Sequence, residues 1–220
     1  MLNIQDHILW RRFREPISGL THLAGATLGF VGTIFLLIFS WGDWLSTVAV
    51  TIYGISLVLM FSASASYHLV KAQPKTLLRL RKFDHASIYV VIAGSYTPIC
   101  LLAFNGFWSW GFLSIIWFLA VTGVIVKLFV IKAPRWTTAG VYLVMGWLSI
   151  FAVNEMIRSL SPLALWGLVI GGLFYSFGAV IYILKKPDFF PNIFGFHELW
   201  HIFVLLGALS HFVVISLIVI

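Results

Sequence analysis

The chain has 220 residues, 61% of them hydrophobic and only 10% charged, with a mean hydropathy of +1.02. That balance excludes a soluble globular domain, which could not hide so much apolar surface, and requires a bilayer as solvent. The net charge of +7 invites a nucleic-acid reading, but the basic residues fall in short loops between apolar runs, which disfavours one.

Residues Met1 to Ser18 form a polar, partly amphipathic segment carrying Arg11, Arg12, Arg14 and Glu15, with His7 expected at the interface. The apolar run that follows is too long for a signal-peptide core and has no small-residue cleavage site, so no cleaved signal is expected. Seven segments then approach the roughly 20 apolar residues that span hydrocarbon. They run from Thr21 to Trp41, Leu45 to Val70, His85 to Phe104, Trp108 to Val126, Thr137 to Ile157, Leu163 to Leu184, and Phe194 to Ile220. The pattern predicts an all-α seven-transmembrane helix bundle, a single domain over residues 1–220 with no soluble module.

Taken in order, the spans place their polar residues selectively. His22 opens the first. Trp41, Trp44, Trp108 and Trp110 fall where an outer aromatic belt is expected. Ser64 and His68 close the second, in FSASASYHLV, and Asp84 opens the third, in KFDHAS, with His85 expected at the interface. Pro98 should kink the third span. Cys100 is the single cysteine, which excludes an intrachain disulfide and reads as an apolar filler. Gly94, Ser95, Gly171, Gly172 and Gly207 would let helices approach closely. His197 and His201 open the seventh span in FGFHELWHIF, and with Val204, Ala208 and His211 they make one inward-facing stripe.

Placing the N-terminus in the cytoplasm leaves the C-terminus outside. Arg11, Arg12, Arg14, Lys71, Lys75, Arg79, Arg81, Lys82, Lys127, Lys132, Arg135, Lys185 and Lys186 then lie inside, and only Arg158 outside. This is the positive-inside pattern, and it supports an odd number of spans and contact with anionic lipid heads. Odd helices enter from the cytoplasm and even helices return to it, so His22, Ser64, His68, Asp84, His197 and His201 share the inner leaflet. Ionisable groups gathered at one depth in lipid mark a functional site.

His197 and His201 are spaced i, i+4, which puts both imidazoles on one helical face and points to a metal. Zinc takes about four ligands, and a catalytic site keeps one position for water. His68 is the third candidate. His211 lies on the same helix as His201 but roughly 15 Å deeper. Ser64 sits one turn before His68 on the same face, Asp84 could orient a ligand or bond the water, and His22 either supports a ligand imidazole from behind or serves structural packing. The string HELWH matches the H-E-x-x-H motif of zinc proteases, but the extended motif is missing, and Glu198 projects about 100° from His197 on an ideal helix. Glu198 therefore reads as a carboxylate near a helix N-terminus, with a base role as the alternative. Haem is a further alternative, because His197 and His211 are 14 residues apart. A retinal protein of the usual kind is excluded, because the last span has no lysine.

Ser-x-x-x-His closing the second span, Asp opening the third, and His-x-x-x-His opening the seventh resemble the hemolysin III family. That family belongs to the progestin and adipoQ receptor superfamily and is related to the alkaline ceramidases. Glu15, Ser18 and His22 resemble its N-terminal motif, and the likeness covers nearly the whole chain. The resemblance implies zinc held by His68, His197 and His201, with Asp84 and Ser64 beside the attacking water. It implies a zinc-dependent, ceramidase-like hydrolase of an amide or ester bond in a membrane lipid, in which Asp84 takes the proton and Ser64 bonds the water or the oxyanion. The other reading is a non-catalytic lipid sensor or homeostasis protein with a structural zinc. The expected partners are membrane lipids and the expected location is a bacterial inner membrane. A secreted pore-former does not suit a polytopic chain.

Overall fold

A computed structural model describes residues 8–130, 133–190 and 193–220. His7, Lys132 and the first seven residues of the N-terminal segment lie outside the described residues. After a short helix α1 (Ile8–Arg12), the first span is α2 (Pro16–Phe39), which begins on a proline whose fixed φ suits the first helical position. Gly42, with φ +97°, turns the chain, and Asp43 starts α3 (Trp44–Leu69) by accepting the amides of Leu45 at 3.1 Å and Ser46 at 3.3 Å.

The third span is α4 (Pro74–Ala103). It starts at Pro74, well before the His85 expected from hydropathy, so Asp84 lies inside this helix and does not open it. At 1.5 Å per residue α4 is roughly 45 Å long, more than the hydrocarbon needs. Its basic first turns extend the same helix past the apolar core, where a hydropathy window cannot follow. A π turn, Phe107–Gly111, leads into α5 (Phe112–Phe129). The fifth span is broken into α6 (Arg135–Trp147), a 3₁₀ stretch Leu148–Ala152, and α7 (Val153–Ser159). Then come α8 (Pro162–Leu184), capped by the Ser161 hydroxyl, and α9 (Phe196–Val219).

Seven helical segments are thus long and apolar enough to cross a membrane, and no strand occurs among the described residues. This is a multi-pass membrane protein. Helices α2, α3, α4 and α5 pack in sequence, α8 packs on α9, α6 rests against α8 and α4, and α9 closes the bundle against α2 and α4. Small residues permit the close contacts. A Cβ on Gly94 would strike the Ser56 hydroxyl, and one on Gly207 would meet the Tyr175 ring at 2.8 Å. Trp41 and Trp44 are 85% and 72% exposed at the end opposite the histidines, as a belt requires.

Candidate metal centre

The histidine end is assembled from four helices. His22 comes from α2, Ser64 and His68 from the last turns of α3, Asp84 from α4, and His197 and His201 from the first turns of α9. His68 and His201 are each 2% exposed, and His22 is 3% exposed. One ring nitrogen from each of His68, His197 and His201 lies within 4.8 Å of the other two, and the Nε2 atoms of His68 and His197 are 3.5 Å apart. Zinc–nitrogen bonds of about 2.0–2.1 Å in a tetrahedron put ligand nitrogens roughly 3.3 Å apart, so a small inward adjustment would complete the set. Three imidazoles suit zinc or another late divalent ion.

Two of the imidazoles are held from behind. His68 Nδ1 bonds to the Glu15 carboxylate, and His201 Nδ1 donates to the Ser18 carbonyl at 3.1 Å. Both contacts engage Nδ1 and leave Nε2 as the free ring nitrogen, the arrangement that fixes tautomer and orientation in metal sites. Glu15 lies beside Pro16 in a turn that pairs with the end of α3, its amide donating to the His68 carbonyl at 2.9 Å. Burial acts to raise the Glu15 carboxyl's pKa, but the bond to His68, with the charges of His68, Arg14 and His197, outweighs it and holds the carboxyl below its ordinary value. Sequence reasoning placed Glu15 and Ser18 in a motif without giving them these roles. Their signal was present: Glu15, Ser18 and His22 follow i, i+3, i+7, one helical face.

Glu198 is occupied elsewhere. Its Oε1 accepts from the Ser18 hydroxyl at 2.8 Å and its Oε2 from the Gly195 amide at 2.9 Å, so it caps α9 and ties that helix to α2. His22 stacks on His201 with centroids 3.8 Å apart, and neither of its ring nitrogens has a hydrogen-bond partner among the described residues. It supports a ligand ring by packing, not by a hydrogen bond. Asp84 shares the site's wall but bonds to His85 Nδ1 at 3.1 Å. His85, expected at the interface, instead lines the interior cavity, and its carbonyl accepts from the Tyr142 hydroxyl at 2.8 Å. His211 faces Tyr175, with ring centroids 5.5 Å apart. No second histidine confronts it among the described residues, so the haem alternative lacks its pair.

The three-histidine cluster stands at one end of a cavity of about 190 Å³. Ser64 and Asp84 line it beside the histidines, Ile88, Ile92 and Val204 carry it inward, and it reaches Phe104, Phe112 and Met156. Twenty helical residues separate Asp84 from Phe104, a depth of roughly 30 Å. The cavity is mainly apolar, with Asp84 and five of its histidines at this end and His211 deeper along it.

A family model described as "Haemolysin-III related" matches residues 10–212. A hemolysin-3 homolog of Bacillus subtilis (strain 168) is 38% identical over 200 residues, covering 90% of this chain and 91% of that protein. The hemolysin-3 of Bacillus cereus is 35% identical over 200 residues, covering 90% and 88%. The adiponectin receptor protein of Drosophila melanogaster is 27% identical over 212 residues, covering 87% of this chain and 48% of that receptor.

Proposed function

This chain belongs to the haemolysin-III-related family, and on that footing we propose that it is a zinc-dependent hydrolase of an amide or ester bond in a membrane lipid. The observation that supports this is the convergence of three imidazoles from α3 and α9 at the polar end of a long apolar cavity. His68, His197 and His201 would hold the ion. When bound, zinc supplies Lewis acidity for the carbonyl and lowers the pKa of a bound water towards about 7.

The chain's own residues carry the rest. The cavity wall holds the acyl chain away from bulk water, with the reacting bond at the histidine end. Glu15 and the Ser18 carbonyl keep the His68 and His201 rings in one tautomer. Asp84 takes the proton from the attacking water, and the Ser64 hydroxyl, on the same wall, donates to the developing oxyanion. The basic loops around this end are the reason for assigning it to the cytoplasmic face of the bacterial inner membrane.

One contact favours a second reading. Asp84 bonds to His85 and not to a ligand imidazole, which suits a non-catalytic lipid-sensing or homeostasis protein with a structural metal. Metal analysis of the purified protein, followed by lipid-hydrolysis assays on wild type and Asp84→Ala, decides between them. The enzyme reading expects zinc in both proteins and turnover in wild type alone. Undiminished turnover in Asp84→Ala removes the base role, and no turnover of any membrane lipid removes the hydrolase.

A further inference from the structure

Asp84 and His85 are neighbours on α4, and both line the cavity at the histidine end. Successive helical residues point about 100° apart, yet these two side chains meet, with Asp84 Oδ2 lying 3.1 Å from His85 Nδ1. The backbone beneath the pair is also fixed, because the Tyr142 hydroxyl of α6 donates to the His85 carbonyl at 2.8 Å. The other ring nitrogen, His85 Nε2, makes no hydrogen bond among the described residues. Nor is it sealed from contact, as both nitrogens of His22 are. His85 is also the less enclosed partner, its side chain 16% exposed against 11% for Asp84.

Hydrolysis in such a place has a proton to dispose of. When water adds across an acyl bond, one of its protons goes to the leaving oxygen or nitrogen. The other goes with the fatty acid, which ionises at neutral pH. Each turnover therefore leaves one proton in a cavity whose wall continues as Ile88, Ile92 and Val204, and an uncompensated charge in apolar surroundings is costly. Two polar contacts near the cluster offer no way out. Glu15 bonds His68 Nδ1, but the other nitrogen of that ring is committed to the ion, and an imidazole passes a proton only when both nitrogens can exchange one. Glu198 spends its oxygens on the Ser18 hydroxyl and the Gly195 amide. His85 meets Asp84 with one nitrogen and keeps the other open. Arg81, one turn nearer the start of α4 on the same face, is exposed. Helical side chains lean towards the helix N-terminus, which in α4 is the basic end of the bundle.

We propose that Asp84 and His85 form the proton exit of the site, with Asp84 as the base and His85 as a relay that acts through it. This rests on the hydrolase reading and gives the contact between the two side chains a use within it. The Asp84 carboxyl O–H breaks as an N–H forms at His85 Nδ1. The N–H at His85 Nε2 then breaks, and its proton passes to water at the basic end. Asp84 is again a carboxylate and His85 again neutral. Exchange with water returns the remaining ring proton to Nε2 before the next turnover. No group is oxidised or reduced, and the net product is one proton for each acyl bond cleaved.

The test is fatty-acid release, read by mass spectrometry, from N-acylsphingosine, diacylglycerol and phosphatidylglycerol by the purified, zinc-loaded full chain in maltoside micelles. Wild type should turn over at least one of them. On that lipid, His85→Ala and His85→Gln should keep their zinc and their KM. Their kcat should fall roughly tenfold or more, short of the hundredfold expected when the base itself is lost. Glutamine can still donate to Asp84, so a residue that only held Asp84 in place would leave His85→Gln active, and full activity there overturns the relay. Imidazole in the medium should restore His85→Ala in a saturable way and leave Asp84→Ala inactive, because a free imidazole replaces the carrier and not the base. Undiminished turnover in His85→Ala, or a loss that imidazole does not restore, overturns the exit while the hydrolase stands. Where His85→Ala loses helical circular dichroism, His85→Gln takes its place in the rescue, with the same two outcomes. Absence of turnover of all three lipids by wild type overturns the hydrolase and the exit with it.

Discussion

The two ends of the cavity use polar side chains for different purposes. At the histidine end, bonds between helices fix side chains: Glu15 holds His68, the Ser18 carbonyl holds His201, and Glu198 joins α9 to α2 through Ser18. At the opposite end they repair backbone. Where the fifth span changes from α-helix to 3₁₀, the Tyr96 hydroxyl donates towards the carbonyls of Gly146 at 2.6 Å and Met145 at 3.2 Å, and accepts the Ser149 amide at 2.9 Å. Hydrocarbon offers no water to an open backbone group, so a break in a spanning helix survives only with such a partner. One end is organised to hold rings at a common point, and the other to let a helix bend beside an apolar cavity.

The contrast makes graded predictions. The largest effect should come from His68→Ala, which removes the only candidate ligand outside α9; zinc per chain, read by elemental analysis, should fall to background while the helices persist. Retained zinc would break the idea that this end is a metal centre. Next, Asp84→Asn should keep the metal and lower lipid turnover by roughly a hundredfold or more, as the loss of a general base does. Loss of metal together with turnover would recast Asp84 as part of the metal's support. Glu15→Gln should weaken zinc roughly 10–100-fold in a competition with a chelator, the usual cost of losing a partner behind a ligand imidazole. Unchanged affinity would mean that the Glu15 contact does not orient His68. The smallest and most local effect belongs to the other end. Tyr96→Phe should cost about 1–3 kcal/mol of stability, through the backbone groups it leaves open, without changing zinc content. A metal defect there would show that the two ends are coupled.

Much of this was legible in the residues. The seven spans follow from apolar runs that only a bilayer can accommodate, and His197 and His201 share a face because a helix repeats every 3.6 residues. His68 joined them because alternating spans return to the same side. The boundaries were less legible. Hydropathy stopped α4 at His85 because its basic first turns lie beyond the apolar window, although Pro74 marked the true start. Asp84 was thereby given a helix opening it does not occupy. The break in the fifth span left no sign in its apolar sequence, since its partner is a tyrosine on another helix.

The sequence by itself determined an all-helical, multi-pass protein and put three histidines at one depth, because hydrophobicity and helical periodicity are local properties. Only the tertiary structure decided which atoms meet. That Glu15 backs His68, that Glu198 joins α9 to Ser18 of α2, and that the His22 ring stacks on His201 depend on how each helix is rotated and tilted against its neighbours. Those angles are set by the packing of small and aromatic side chains across several helices at once, which no single segment encodes.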